Sequence, residues 1–110
     1  MSVYKKLMKS VDKHRELILS AERHIWKNPE TGYKEWKTSA YLEAEFEKLG
    51  YDLVKPGDIP GFYTTLDTGR PGPCILVFGE LDSLICEDHQ EADPETKAVH
   101  ACGHNAQCAA

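Results

Sequence analysis

The stretch Cys74-Ile75-Leu76-Val77-Phe78-Gly79-Glu80-Leu81-Asp82-Ser83-Leu84 decides how the rest of the chain is read. Residues 74–78 are apolar without alternation, the pattern of a central strand buried on both faces. This is the longest apolar run in the 110 residues, far short of the roughly 20 needed to span a bilayer. Gly79 opens the strand's exit, and Glu80 and Asp82 follow two positions apart, so both carboxylates point to one side of an extended backbone. Ligands bind outside the C-terminal ends of strands in open α/β sheets. Acids placed there can ligate a metal or orient a ligand; they can equally be a solvated strand end.

Upstream, Leu7, Val11, Leu17, Ile18, Ala21 and Ile25 recur mostly at steps of three and four and predict one long amphipathic helix. Asn28-Pro29 ends it, because proline disfavours helical geometry in the residue before it. A turn follows at residues 30–33, then a second helix over residues 36–49, with Leu42, Phe46 and Leu49 on one face and Gly50 at its C-terminal cap. Trp26, Tyr33 and Trp36 are read as closing the helix packing. The period then changes. Residues 51–55 and 62–68 read as strands flanking a loop with Pro56, Gly57, Pro60 and Gly61. Downstream, residues 86–99 form a polar loop with five acids, and a helical pattern begins at Asn105. The fold class is α/β. A doubly buried strand with so few elements to cover it reads as the first part of a larger α/β domain.

Eighteen acidic against 13 basic residues give a net charge of −5, which argues against a nucleic-acid partner. The balance is uneven: residues 1–49 carry a net +2 and residues 50–110 a net −7, so a cation site is sought in the second half. A hydrophobic content of 41% suffices for a globular core. The start, Met-Ser-Val-Tyr-Lys-Lys, lacks the apolar stretch of a signal peptide. A cytoplasmic chain is therefore expected, with Cys74, Cys86, Cys102 and Cys108 reduced and with no membrane partner.

The densest chemistry lies in His100-Ala101-Cys102-Gly103-His104-Asn105. A thiolate and an imidazole two positions apart can face one cation, zinc taking Cys and His readily and manganese preferring oxygen and imidazole. The same residues can also be half-buried polar groups without a metal. Cys86 and His89 with Cys102 and His104 offer a second arrangement, a small structural zinc module. The acids of residues 87–95 lack the glycine and terminal glutamate of a calcium loop. Ser83 has no Gly-x-Ser-x-Gly frame, and the prolines at residues 69–73 exclude a phosphate loop.

Three separated motifs together resemble one family. Arg23-His-Ile-Trp-Lys-Asn-Pro-Glu30-Thr-Gly-Tyr-Lys-Glu35-Trp-Lys-Thr38, Glu80-Leu-Asp82-Ser-Leu84 and His100-Ala-Cys-Gly-His104 resemble the N-terminal part of the aminoacylase/carboxypeptidase group of metallopeptidases. The nearest branch is that of the hippurate, indole-acetyl-amino-acid and aminobenzoyl-glutamate hydrolases. The resemblance implies an incomplete N-terminal portion (residues 1–110) of a zinc-exopeptidase-like three-layer catalytic domain. It implies two divalent ions, manganese or zinc, with Cys102 and His104 as metal ligands and Asp82 as a supporting acid. The reaction it implies is attack by a metal-activated water on the amide of an N-acyl amino acid, an aminobenzoyl-glutamate or a dipeptide. The general base and the dimerisation domain of homo-oligomeric members would follow the metal motif, so the isolated chain is expected to be inactive. A split enzyme whose other half is encoded separately is the alternative. Glu80 and Asn105 depart from the resemblance, which often has Asp at both positions.

Overall fold

Ser2 accepts a hydrogen bond from the Lys5 amide at 3.3 Å and starts α1 (Val3–Lys13), as an N-cap serine does. The computed structural model, which describes residues 1–110, continues with α2 (Arg15–Lys27), α3 (Trp36–Lys48), β1 (Leu84–Ile85), β2 (Ala98–Val99) and α4 (His104–Ala109). The single long helix expected at the N-terminus is thus two. They break at His14, whose amide is shared between the Ser10 and Val11 carbonyls while its ring Nδ1 lies 2.8 Å from the Ser10 carbonyl. α2 ends at Asn28, as the following proline requires.

α3 begins where a carboxylate from outside the helix meets its free amides. Glu30 accepts from the backbone N–H groups of Lys37 at 3.0 Å and Thr38 at 2.8 Å, and from the Thr38 hydroxyl at 2.8 Å. A negative group at a helix N-terminus also opposes the helix dipole. At the other end, Gly50 takes φ 91°, its amide donates to Glu47, and the Tyr51 amide donates to Phe46. That is the paired hydrogen bonding of a glycine-terminated helix. The expected face of α3 is real: Leu42, Phe46 and Leu49 all line one apolar groove of about 340 Å³, shared with Leu17, Ile18 and Cys108.

The strands depart furthest from expectation. Residues 51–55 and 62–68 meet at a single antiparallel bridge, Val54 with Tyr63, whose two amides donate to each other's carbonyls at 2.8 and 3.0 Å. Residues 74–78 are not a buried central strand. Ile75, Leu76, Val77 and Phe78 are 71–86% exposed and pair with nothing, because no other segment offers them a ladder or a covering layer. The one ladder joins β1 and β2 antiparallel, Leu84 opposite Val99 and Ile85 opposite Ala98, at the two ends of what reads in sequence as a polar loop. Tyr33 and Trp36, expected inside the packing, are 77% and 50% exposed.

The chain is therefore a small unit of mixed helix and sheet. Only 11 residues are buried, and six of them are polar: Glu35, Thr38, Ser39, Ser83, His100 and Asn105. Ile25, Val99, Ala98, Ala21 and Leu42 are the apolar remainder. The radius of gyration is 15.9 Å, against about 13 Å for a compact domain of this length.

Candidate metal centre

Glu80 and Asp82 do point to one side. His104, the first residue of α4, meets them there. Its Nε2 lies 2.5 Å from a Glu80 carboxylate oxygen. Its Nδ1 lies 2.9 Å from the Asp82 carbonyl and 3.1 Å from an Asp82 carboxylate oxygen. Oxygen acceptors therefore face both ring nitrogens; with Nδ1 donating to Asp82, Nε2 is the nitrogen a cation would take in place of a proton. One ligand atom from each of the three residues falls within 4.8 Å of the others. The histidine is mostly covered, and the two carboxylates are about half exposed.

Two oxygens and one imidazole nitrogen form a donor set that suits manganese or zinc, with solvent able to complete the coordination on the open side. The fit is chemical, resting on donor type, spacing and access. Cys102, also expected as a ligand, is exposed and stands outside this group. Cys86 and His89 are not gathered with Cys102 and His104, so the four-residue zinc module does not form. The Cys86 amide instead donates to Lys97, and the His89 ring meets Trp26 edge-on at 6.3 Å.

The surroundings of the cluster are buried and polar. Ser83 stands across from His100 in the register of the β1–β2 ladder, and its amide donates to the Glu30 carbonyl at 2.7 Å. Neither the Ser83 hydroxyl nor either ring nitrogen of His100 has a hydrogen-bond partner. Burial pushes the His100 pKa down, the His104 ring adds to this, and Asp82 and Glu30 pull it back up. His100 is thereby favoured as a neutral ring at neutral pH.

α4 supplies more than His104. The Gln107 side-chain oxygen accepts from the Glu80 amide at 2.9 Å, and the Cys108 thiol donates to the Glu80 carbonyl at 3.0 Å. Burial, followed by the charges of Glu80 and Asp82, pushes the Cys108 thiol up to about 11, so it stays protonated and able to donate. Asn105 donates to Glu22 on α2 at 2.8 Å. The Arg23 guanidinium beside Glu22 holds its carboxyl below the usual range; burial opposes this, and the Asn105 amide adds to it. Sequence reading misses Glu22, Gln107 and Cys108 in these roles. The helical pattern of residues 105–110 reveals a helix, and nothing in it reveals what the helix grips.

The chain is similar to several hydrolases. It is 33% identical to the IAA-amino acid hydrolase ILR1-like 4 of Arabidopsis thaliana across 81% of this chain and 21% of that protein. It is 28% identical to thermostable carboxypeptidase 2 of Saccharolobus solfataricus across 99% of this chain and 29% of that protein. At 23% identity it aligns with an N-acyl-L-amino acid amidohydrolase of Geobacillus stearothermophilus across 90% of its length and 28% of that protein. The chain thus spans between a fifth and three-tenths of the length of these relatives. No family model matches it. No solved structure matches it.

Proposed function

We propose, from the premise that this chain belongs to the aminoacylase/carboxypeptidase family of amidohydrolases, that it carries the first ligands of a divalent-metal amide-hydrolysis centre. In this reading residues 1–110 are the N-terminal portion of a three-layer catalytic domain, and residues 74–78 belong to its sheet. The observation that carries the reading is the meeting of Glu80, Asp82 and His104, drawn from an irregular segment and a helix start 22 residues apart. Its substrate is a small linear amide, an N-acyl amino acid, an aminobenzoyl-glutamate or a dipeptide, and its setting the cytoplasm.

A bound divalent ion, manganese or zinc, supplies Lewis acidity for the amide carbonyl and a lowered pKa for water. The chain's own residues do the rest of what it contributes. His104 offers Nε2, with Nδ1 fixed by the Asp82 carbonyl and carboxylate. Glu80 offers an oxygen from a backbone clamped by Gln107 and Cys108. Asp82 supports the imidazole and raises its basicity. Cys102, one residue before the Gly103 that turns the chain into α4, would be a further thiolate donor for the ion. Glu80 and Asp82 are both engaged with His104, so neither is free as general base, and the 110 residues alone release no amino acid.

Calorimetric titration with zinc or manganese chloride tests this directly. The chain binds the ion, and His104→Ala reduces affinity by at least tenfold. Equal binding by the wild type and His104→Ala would refute the site. Metal-dependent release of amino acid by the wild-type chain would refute the inactivity of the isolated segment.

A further inference from the structure

α4 builds the cluster, and its position depends on what it packs against and bonds to. It has six residues, and it follows Gly103 at φ 88° with no side-chain cap. Helices of fewer than about 12 residues are marginal without tertiary support. Gln107 and Cys108 tie α4 to the segment that carries Glu80. α4 also packs against α2, and Asn105 makes its one side-chain hydrogen bond to the helical body. Asn105 is 4% exposed, and its amide donates to the Glu22 carboxylate at 2.8 Å across 83 positions of sequence.

We infer that Glu22, acting through Asn105, is a positioning residue that fixes His104 against Glu80 and Asp82 and so sets the affinity of the cluster for a divalent cation. The inference rests on the metal reading above. Glu22 touches none of the three donors. It acts because Asn105 and His104 are neighbours in the first turn of α4 and move together. The imidazole has contacts at both nitrogens, 2.5 Å on one side and 2.9 to 3.1 Å on the other. A ligand set tolerates displacements of about 0.5 Å, so a small shift of α4 opens one contact or the other. The identity of residue 105 follows too. The resemblance drawn above often has Asp there; in this chain a carboxylate would face that of Glu22, and the amide is the group that fits.

Two readouts on the 110-residue chain test the inference: zinc chloride titration by calorimetry, and the ring nitrogen signals of His104 by NMR without metal. Glu22→Ala is expected to weaken zinc binding by tenfold or more and to move the His104 ring signals, with far-UV circular dichroism unchanged. Glu22→Gln keeps a side-chain carbonyl for Asn105 and restores both. His104 ring signals unmoved in Glu22→Ala would overturn the positioning role. Should Glu22→Ala not fold, Glu22→Asp shortens the reach by one methylene, and the same signals decide. Should the wild type take up no zinc, the metal reading falls and the ring signals still judge the positioning role by themselves.

Discussion

At the scale of single residues, Glu30 shows how a short motif is structural before it is anything else. Its carboxylate serves two backbone amides and the hydroxyl of fully buried Thr38, which gives Asn-Pro-Glu…Thr a mechanical meaning. Glu30→Ala should lower stability by about 1–2 kcal/mol, the range for losing a helix N-terminal partner, read as a lower urea midpoint at unchanged slope. Glu30→Gln keeps one carbonyl oxygen and should lose less. An unchanged midpoint in Glu30→Ala would remove the capping role. Asp82 and His104 were legible as candidates because their types and spacing suggest cation chemistry, and the fold does bring them together. Glu22 was not legible. It sits on a polar helix face like many solvated acids, and only the fold brings Asn105 to it.

At the scale of elements, helices were legible and strands were not. The physical difference is where the hydrogen bonds go. α3 satisfies its backbone internally, and Leu42, Phe46, Leu49 and Gly50 announce its face and its end. A strand needs a partner, and the sequence of residues 51–55 or 62–68 cannot say that pairing stops after Val54 and Tyr63. The break at His14 was also invisible, since it depends on a ring nitrogen competing for a helix carbonyl. The break has a consequence. α1 buries none of its residues, whereas α2 buries Ala21 and Ile25. Amide hydrogen exchange should therefore release α1 at lower protection than α2, as expected for a segment with few buried contacts. Equal protection would mean that the two behave as one helix after all.

For the whole molecule, the decisive feature is how much apolar surface it leaves uncovered. Residues 75–78 form an apolar run at 71–86% exposure, a surface that invites association. Val77→Lys, at 86% exposure, should raise the monomer fraction in light scattering while changing stability by no more than about 0.5 kcal/mol. Association unchanged by this substitution would place the sticky surface elsewhere. The doubly apolar pattern of residues 74–78 predicts a buried strand, and in the structure that run is neither paired nor covered. The linkages around α4 carry one more consequence, in the order of assembly. His104 meets Asp82 across 22 positions, but Asn105 reaches Glu22 across 83. Closing the longer loop costs about 1 kcal/mol more in chain entropy. The three donors can therefore find one another early, through a local hairpin and a single helical turn. The longer-range Asn105–Glu22 contact is then expected to form after the cluster, as a folding-rate study of Asn105 and His104 variants would show.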